Sequence, residues 1–165
     1  EIKVVNVGGG LGIDYENPER APLFAEYFNL LNEFIDLKPG QELHLEPGRS
    51  VTGQCGSLIS RVLYIKNGCN TIFAIVDAGM TDLIRPALYQ AHHKIENLTS
   101  KGSIYRYDVV GPICESSDTF AKFIELPETH RGDIIAIRSA GAYGEAMASR
   151  YNLRDLPGTV FSDEL

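Results

Sequence analysis

The sequence has 165 residues, 44% of them hydrophobic and 22% charged, which is enough for one globular domain, or for one domain and part of another. Fifteen basic and 22 acidic residues give a net charge of -7, which argues against nucleic-acid binding and favours a small-molecule ligand. There is no apolar run long enough for a membrane span, the histidines lack metal-ligand spacing and the cysteines are far apart, so we expect no membrane span, no metal site and a reducing, cytoplasmic location.

The first 49 residues predict a strand, a helix and a second strand. Residues 2–7 (IKVVNV) form a buried-strand pattern without a methionine or a basic leader, as expected for a chain that begins inside a fold. Residues 18–37 have helical periodicity, with Asn17 as the N-cap and an apolar stripe of Leu23, Tyr27, Leu30, Leu31, Phe34 and Ile35. Residues 42–45 predict the second strand, and this order is the repeat unit of a parallel α/β fold.

From about residue 50 the pattern changes to strands separated by turns. Strands are predicted at residues 51–66, 71–77, 103–110, 121–126 and 133–138, and short helices at residues 84–89 and 142–149. We therefore predict a mainly antiparallel β domain, a barrel or a sandwich, over residues 50–165.

A glycine-rich loop follows the first predicted strand. It has the sequence GGGLG and begins with Gly8, Gly9 and Gly10. Glycines let the backbone approach a phosphate closely, and free N–H groups favour an anion. A plain tight turn would explain the same residues.

A second motif, Glu46-Pro47-Gly48-Arg49, follows the second predicted strand. Strand ends hold the active site in barrel-like α/β folds, and an arginine there offers a planar guanidinium for a carboxylate or phosphate. A surface ion pair between Glu46 and Arg49 beside a Pro-Gly turn is the alternative.

Three further motifs carry candidate side chains in the second region. Arg85 and Tyr89, in RPALY, would share one face of a short helix and could hold a carboxylate, unless they are an exposed arginine and a half-buried tyrosine. Cys114 and Glu115, in GPICESSD, could present a proton donor and a carboxylate for an ammonium group, although a lone cysteine is usually a small buried side chain. Tyr143, in SAGAYG, predicts close packing against a ligand or a close backbone contact within the domain.

The order and spacing of these motifs resemble the diaminopimelate decarboxylases, which are alanine racemase-like, fold-type III enzymes dependent on pyridoxal 5'-phosphate (PLP). The matching blocks are GGGLG, EPGR, DAGM with RPALY, GP-C-E-S-x-D, GAY and Tyr151-Asn152, which extend from about Val5 to Asn152. The resemblance implies an α+β architecture. Residues 1–49 would be the last strand-helix-strand part of a PLP-binding, TIM-like α/β barrel, and residues 50–165 a C-terminal β domain that partly returns to the barrel at its end.

The resemblance also implies roles for the matched positions. The expected cofactor-binding residues are Gly8, Gly9, Gly10, Glu46, Pro47, Gly48, Arg49 and Tyr143, and the expected substrate-binding residues are Arg49, Arg85, Tyr89, Glu115 and Tyr143. Cys114 is expected to be the catalytic proton donor. In the family, the Cys-Glu pair enters the active site of the partner subunit, which implies a homodimer with shared active sites.

The resemblance implies PLP-dependent decarboxylation of meso-2,6-diaminoheptanedioate to L-lysine, in lysine biosynthesis. The family's cofactor-binding lysine lies upstream of the matched region, and the lysines of this chain match no such motif, so we expect the chain alone to be inactive. Diaminopimelate has an amino-acid group at both ends, and Arg85 and Glu115 could bind the distal carboxylate and ammonium. We therefore rank it above ornithine, arginine and carboxynorspermidine.

Two other interpretations belong to different classes. The chain could be a non-catalytic structural or dimerisation module. It could also be a generic phosphate-binding α/β protein, in which Arg85, Cys114 and Glu115 would not converge near the glycine loop.

Overall fold

The computed structural model describes residues 2–164, and its N-terminal part is a small strand-helix-strand unit. Strands β1 (Val4–Asn6) and β2 (Glu42–His44) pair in parallel, with Val5 opposite Leu43, and helix α1 (Phe24–Phe34) lies between them in the chain. The predicted order of elements is therefore confirmed, although both strands are shorter than their apolar patterns. Parallel pairing places the segments after β1 and β2 at the same edge.

The predicted start of the helix was wrong, because α1 begins at Phe24 and not at Pro18. The Asp14 carboxylate accepts the N–H groups of Glu16 and Asn17 at 3.0 and 2.9 Å. The Asn17 side chain also donates to Asp14, so it does not cap the helix. An aspartate that bonds the following backbone stabilises a turn in competition with a helix.

The apolar stripe of α1 is only partly covered by the described part of the chain. No residue of α1 is buried, and Leu30 and Phe34 are 54% and 77% exposed. One polar contact fixes the helix, since the Tyr27 hydroxyl donates to the Gly9 carbonyl at 2.6 Å. The helix therefore supports the glycine loop.

The remaining elements form a β domain. They are helix α2 (Arg49–Thr52), strands β3 (Leu58–Asn67) and β4 (Ile72–Val76), helix α3 (Arg85–Tyr89), and strands β5 (Ile95–Asn97), β6 (Ile104–Val110), β7 (Thr119–Pro127) and β8 (Ile134–Ile137). The strands form one sheet in the order β5-β8-β3-β4-β6-β7. Neighbours are antiparallel except β4 and β6, which are parallel, so the sheet is mixed.

The two edges of the sheet approach each other and make it a nearly closed, barrel-like structure. The Asn97 side chain at the end of β5 donates to the Thr129 hydroxyl, just after β7, at 3.1 Å. It also donates to the Asp133 carboxylate at 2.9 Å. These side-chain contacts bring the edge strands β5 and β7 together without pairing their backbones.

The strand predicted from residue 51 was wrong at its start, because it begins at Leu58. Helix α2 and a 3-10 turn (Gly53–Cys55) occupy the preceding residues. The Gly48 carbonyl accepts the N–H groups of Val51 and Thr52 at 3.0 and 3.2 Å, which turns the chain at this point.

The helix predicted at residues 142–149 is reduced to a 3-10 turn (Glu145–Met147). Tyr143 has a φ of +62°, which is left-handed and cannot continue a right-handed helix. Further 3-10 turns lie at Tyr151–Leu153 and Ser162–Glu164, and neither these nor strand β5 were predicted.

The core of the β domain lies inside the sheet, where alternate strand residues meet. Its fully buried aliphatic side chains include Val62, Val76, Val109, Ile135 and Ile137. In β3, buried Ser60 and Val62 alternate with more exposed residues, as the two-residue periodicity of β structure predicts, whereas β8 has three consecutive buried residues. Among residues 2–164, no helix has the length and apolar character that crossing a membrane requires.

We predict that Ile135→Ala lowers the free energy of unfolding by about 2–5 kcal/mol, because it leaves a cavity in the core. The matched control is Ile59→Ala on β3, whose side chain is 55% exposed, and its effect should stay within about 0.5 kcal/mol. Urea unfolding monitored by circular dichroism measures both. Equal effects of the two substitutions would contradict the placement of the core.

Candidate active site

The glycine loop lies against the segment that follows β2. The Glu46 N–H donates to the Gly8 carbonyl at 2.8 Å, which continues the contact between the two strands beyond their ends. A Cβ at Gly9 would lie 2.6 Å from the Glu46 carbonyl oxygen, and Gly8 and Gly10 have φ values of +69° and +91°. The N–H groups of Gly9 and Gly10 donate to no acceptor within residues 2–164, so they are available to an anion.

Glu46 stabilises the glycine loop through Asn6. Its carboxylate accepts the Asn6 side-chain N–H at 2.6 Å, and the Asn6 side-chain oxygen accepts the Gly8 N–H at 2.7 Å. In the described part of the chain, Glu46 forms no ion pair with Arg49. The surface Glu46–Arg49 pair considered from the sequence is therefore not formed.

Two guanidinium groups face one aromatic ring. The Cζ atoms of Arg49 and Arg85 lie 5.9 and 5.5 Å from the centroid of the Tyr143 ring. Arg85 also lies 5.7 Å from the Tyr89 ring and is 7% exposed, so it is not the solvent-exposed arginine of the alternative. We call Arg49, Arg85 and Tyr143 the arginine–tyrosine cluster.

The arginine–tyrosine cluster is positively charged and has unused donors. The Nε atoms of Arg49 and Arg85 are buried and have no hydrogen-bond partner among residues 2–164. Leaving a buried donor unpaired costs about 1–3 kcal/mol. The cluster is therefore suited to a carboxylate or phosphate ligand, which would supply the missing acceptors.

Close backbone contacts place Tyr143 in the cluster. The Ala140 N–H donates to the Gly56 carbonyl at 2.8 Å, and the Gly141 N–H donates to the Gly53 carbonyl at 3.0 Å. A Cβ at Gly141 would collide with the Thr52 carbonyl oxygen, so the two chain segments meet only because a glycine stands there. At Gly48, a Cβ would lie 3.2 Å from the Tyr143 hydroxyl, which brings the phenol next to the EPGR segment.

Behind the cluster lie two residues that sequence analysis did not identify, Tyr15 and His93. The Arg85 guanidinium donates to the Tyr15 hydroxyl at 3.5 Å, and the Tyr15 ring meets the His93 ring edge-on at 5.2 Å. His93 is 1% exposed and donates from Nδ1 to the Arg138 carbonyl at 2.9 Å. A prediction of strand β5 from the sequence would have indicated His93, because residue 93 lies two positions before the buried Ile95 and therefore on the same side of an extended chain.

Burial lowers the pKa of His93, and the nearby charges of Arg85, His92 and Arg49 lower it further, against the bond to the Arg138 carbonyl. The folded protein therefore favours the neutral form of His93, in which Nε2 carries a lone pair. That atom has no hydrogen-bond partner within residues 2–164.

Cys114 and Glu115 lie in a separate loop, residues 111–117, which we call the Cys114 loop. Both side chains are exposed, and the Glu115 carboxylate accepts the Tyr151 hydroxyl. This bond and the charge of Glu115 raise the pKa of Tyr151. No hydrogen bond, ion pair or ring contact joins Cys114 or Glu115 to the arginine–tyrosine cluster within residues 2–164. One chain thus brings together the glycine loop, the EPGR segment and the cluster, but not the Cys114 loop.

No cluster of three or more histidine, cysteine, aspartate or glutamate side chains in residues 2–164 could hold a metal ion. The three cysteines are free and exposed.

Comparison with known proteins identifies related sequences. The family profile described as "Pyridoxal-dependent decarboxylase, C-terminal sheet domain" matches residues 13–141. The diaminopimelate decarboxylase of Bacteroides thetaiotaomicron is 62% identical and covers 99% of this chain, and that of Helicobacter pylori is 49% identical and covers 93%. The chain spans 43% and 38% of those two proteins, so it covers about two fifths of the length of its curated relatives.

A solved structure shows the same fold. Diaminopimelate decarboxylase from Helicobacter pylori complexed with L-lysine superposes with a TM-score of 0.79 at 47% identity, covering 91% of this chain and 37% of that one.

We predict that His93 makes stability depend on pH. Its pKa is lowered in the folded state, so below about pH 6.5 the unfolded chain takes up a proton that the folded chain resists. The stability that neutral His93 contributes is therefore present above that pH and is lost as the pH falls. His93→Gln should remove this contribution to the pH dependence of the free energy of unfolding. Urea unfolding between about pH 5 and 8 measures it. The control is His44→Gln, an exposed histidine that is not among the groups that shift the pKa of His93, and it should keep the wild-type slope. A His93→Gln curve parallel to wild type would contradict the prediction.

Proposed function

The chain belongs to the pyridoxal-dependent decarboxylases, and we propose that it forms the C-terminal sheet domain and part of the active site of a diaminopimelate decarboxylase. This carboxy-lyase converts meso-2,6-diaminoheptanedioate to L-lysine. The observation that carries the proposal is the arginine–tyrosine cluster beside a glycine loop in which the N–H groups of Gly9 and Gly10 have no acceptor within residues 2–164. Residues 1–49 would be the last part of the cofactor-binding α/β barrel, and residues 50–165 the β domain.

The residues at the glycine loop fit the phosphate of PLP. Gly8, Gly9 and Gly10 carry no side chains, and Gly9 and Gly10 offer backbone donors. Gly9 packs against the Glu46 and Pro47 backbone, which leads directly to Gly48 and Arg49. The Tyr143 ring, next to Gly48, would contact both cofactor and substrate. When bound, PLP supplies the electron sink that decarboxylation requires.

Arg85 is the proposed determinant of substrate choice. It is buried, it is positively charged, and its Nε has no partner within residues 2–164. A diaminopimelate molecule has a distal carboxylate to pair with it, with Arg49 and Tyr89 as further ligands. Ornithine lacks that carboxylate and would leave the buried arginine unpaired, which is costly. The related decarboxylases of ornithine, arginine or carboxynorspermidine are therefore less well supported.

The Cys114 loop would act in the active site of a second copy of the chain. Cys114 would donate the proton to the carbon that lost its carboxylate, and Glu115 would bind the distal ammonium of the substrate. The separation of the Cys114 loop from the arginine–tyrosine cluster within one chain supports this arrangement. A homodimer with shared active sites would bring the two together, and free cysteines suit its proposed location in the cytoplasm.

One observation favours a second candidate function, a structural and dimerisation module without catalysis. No lysine contacts the glycine loop or the arginine–tyrosine cluster within residues 2–164; Lys94, for example, pairs with Glu96. The lysine that holds PLP would then have to come from the part of the relatives that this chain does not cover. The chain alone would have no activity.

We predict lysine formation from PLP and meso-diaminopimelate only when this chain is mixed with a separately produced N-terminal part, equivalent to the region of its relatives outside the match. Arg85→Lys should lower kcat/KM of the mixture by about two orders of magnitude, because a single ammonium replaces a buried planar guanidinium. Arg61→Lys, at an exposed position of β3, is the matched control and should leave it unchanged. Chromatographic detection of lysine measures the product.

Two outcomes would contradict this account. Product from the chain alone would mean that one of its own lysines serves the cofactor. No product from two parts shown to be folded and associated would refute the proposed decarboxylation.

A further inference from the structure

A buried carboxylate connects two loops. One loop carries the proposed proton donor, and the other precedes the helix that begins with the proposed substrate-binding arginine. Asp118 follows the Cys114 loop and is 4% exposed. Its Oδ2 accepts the Ile113 N–H from that loop at 2.6 Å. Its Oδ1 accepts the Met80 N–H at 2.6 Å. Met80 belongs to residues 77–82, which we call the DAGM loop, and α3 begins three residues later with Arg85.

Glycines make this close approach possible. A Cβ at Gly111 would collide with the Asp118 carboxylate, and a Cβ at Gly79 would lie 2.7 Å from the Ile113 Cγ1 atom. The Ser117 hydroxyl additionally lies 3.6 Å from the sulfur of Met80. The Cys114 loop and the DAGM loop therefore pack as one unit, and a displacement of one moves the other.

The same unit determines the position of Glu115 and Tyr151. The Asp118 N–H donates to the Glu115 carbonyl at 3.1 Å, and the Glu115 carboxylate accepts the Tyr151 hydroxyl. The Ser149 N–H donates to the Thr81 carbonyl at 2.9 Å, which attaches the segment of Tyr151 to the DAGM loop. The pKa of Tyr151 consequently reports on the position of the Cys114 loop.

The surroundings of Asp118 act on its ionisation in opposite directions. Burial raises the pKa of Asp118, and repulsion by Asp82 raises it further, while the bonds from Ile113 and Met80 and the charge of Arg154 oppose them. Burial thus disfavours the ionised form, which is the form that both N–H bonds favour. A group that is retained despite such a penalty is a candidate for a functional role.

We propose that Asp118 is a positioning residue that sets the placement of Cys114 and Glu115 relative to Arg85. The importance of that placement rests on the proposed function, whereas the connection itself rests on the contacts of Asp118. In a dimer with shared sites, Asp118 would link the loop that serves one active site to the arginine that serves the other.

The test is the pH titration of Tyr151 in the full chain, monitored by the NMR signal of 13Cζ-labelled tyrosine. The Tyr151 signal is assigned as the one that is absent from the Tyr151→Phe variant. Asp118→Asn keeps the size of the side chain but replaces one acceptor oxygen with a donor, so it cannot accept both N–H groups. We expect the raised pKa of Tyr151 to fall toward its ordinary value, because Glu115 is no longer held against it. Asp133→Asn is the matched control, since Asp133 accepts bonds from Asn97 and the His130 N–H elsewhere in the domain, and it should leave Tyr151 unchanged.

Gly111→Ala provides a second route to the same displacement, because its methyl group pushes on the Asp118 carboxylate and leaves the charge in place. It should shift Tyr151 in the same direction. An unchanged Tyr151 titration in either folded variant would overturn the proposal. Loss of folding in both variants, with Asp133→Asn folded, would also overturn it, since Asp118 would then be a requirement of the fold.

Activity of the mixture with the N-terminal part distinguishes this proposal from the proposed function. We expect Asp118→Asn to lower kcat by about 10²-fold, the effect of misplacing a reacting group by an ångström, with a smaller change in KM. A shifted Tyr151 titration together with an absence of decarboxylation in wild type would refute the function and support the connection. An unshifted Tyr151 titration in the variants together with normal decarboxylation in wild type would refute the connection and support the function.

Discussion

The contact between two glycine-containing turns determines where the functional side chains lie. Gly141 packs against the backbone of Thr52, and Gly56 packs against Gly141 itself, so neither position accepts a side chain. Tyr143 follows two residues after Gly141 with a left-handed backbone, and its ring lies close to the arginines at the starts of α2 and α3. The contact therefore gives two arginines from separate parts of the chain a common ring.

The positive charges of the site and the carboxylate of Glu115 lie in different parts of the chain. The protein carries a net charge of -7, yet the arginine–tyrosine cluster concentrates two cations beside backbone donors. Neutral His93 lies behind the cluster and adds no third charge. The carboxylate of Glu115 lies elsewhere, on the loop that Asp118 organises. Keeping the acidic loop apart from the cations in one chain prevents an ion pair between Glu115 and either arginine, which suits the zwitterionic ligand of the proposed function.

Most of the β domain could be predicted from the sequence, but the turns and tertiary contacts that form the site could not. Strands such as β6 and β7 were predicted within one or two residues, because runs of β-branched and aromatic residues bounded by turn residues mark them in the sequence. Helix α1 began late because a local bond from Asp14 favoured a turn, and α2 was missed because Gly48 bends the chain. The motifs indicated Arg49, Arg85 and Tyr143, but the common ring that joins them depends on a tertiary glycine contact. Tyr15 and His93 carry no motif, and only the fold brings them behind Arg85.

The central claim is that Arg85 and Cys114 of one chain serve different active sites, and subunit mixing tests it most directly. Arg85→Ala and Cys114→Ala chains, each combined with the N-terminal part, should both lose activity when assayed separately. Mixed in equal amounts, they should recover about a quarter of wild-type activity, because half of randomly formed dimers are mixed and each of these has one intact site. No recovery in a sample shown by native mass spectrometry to contain mixed dimers would contradict the claim.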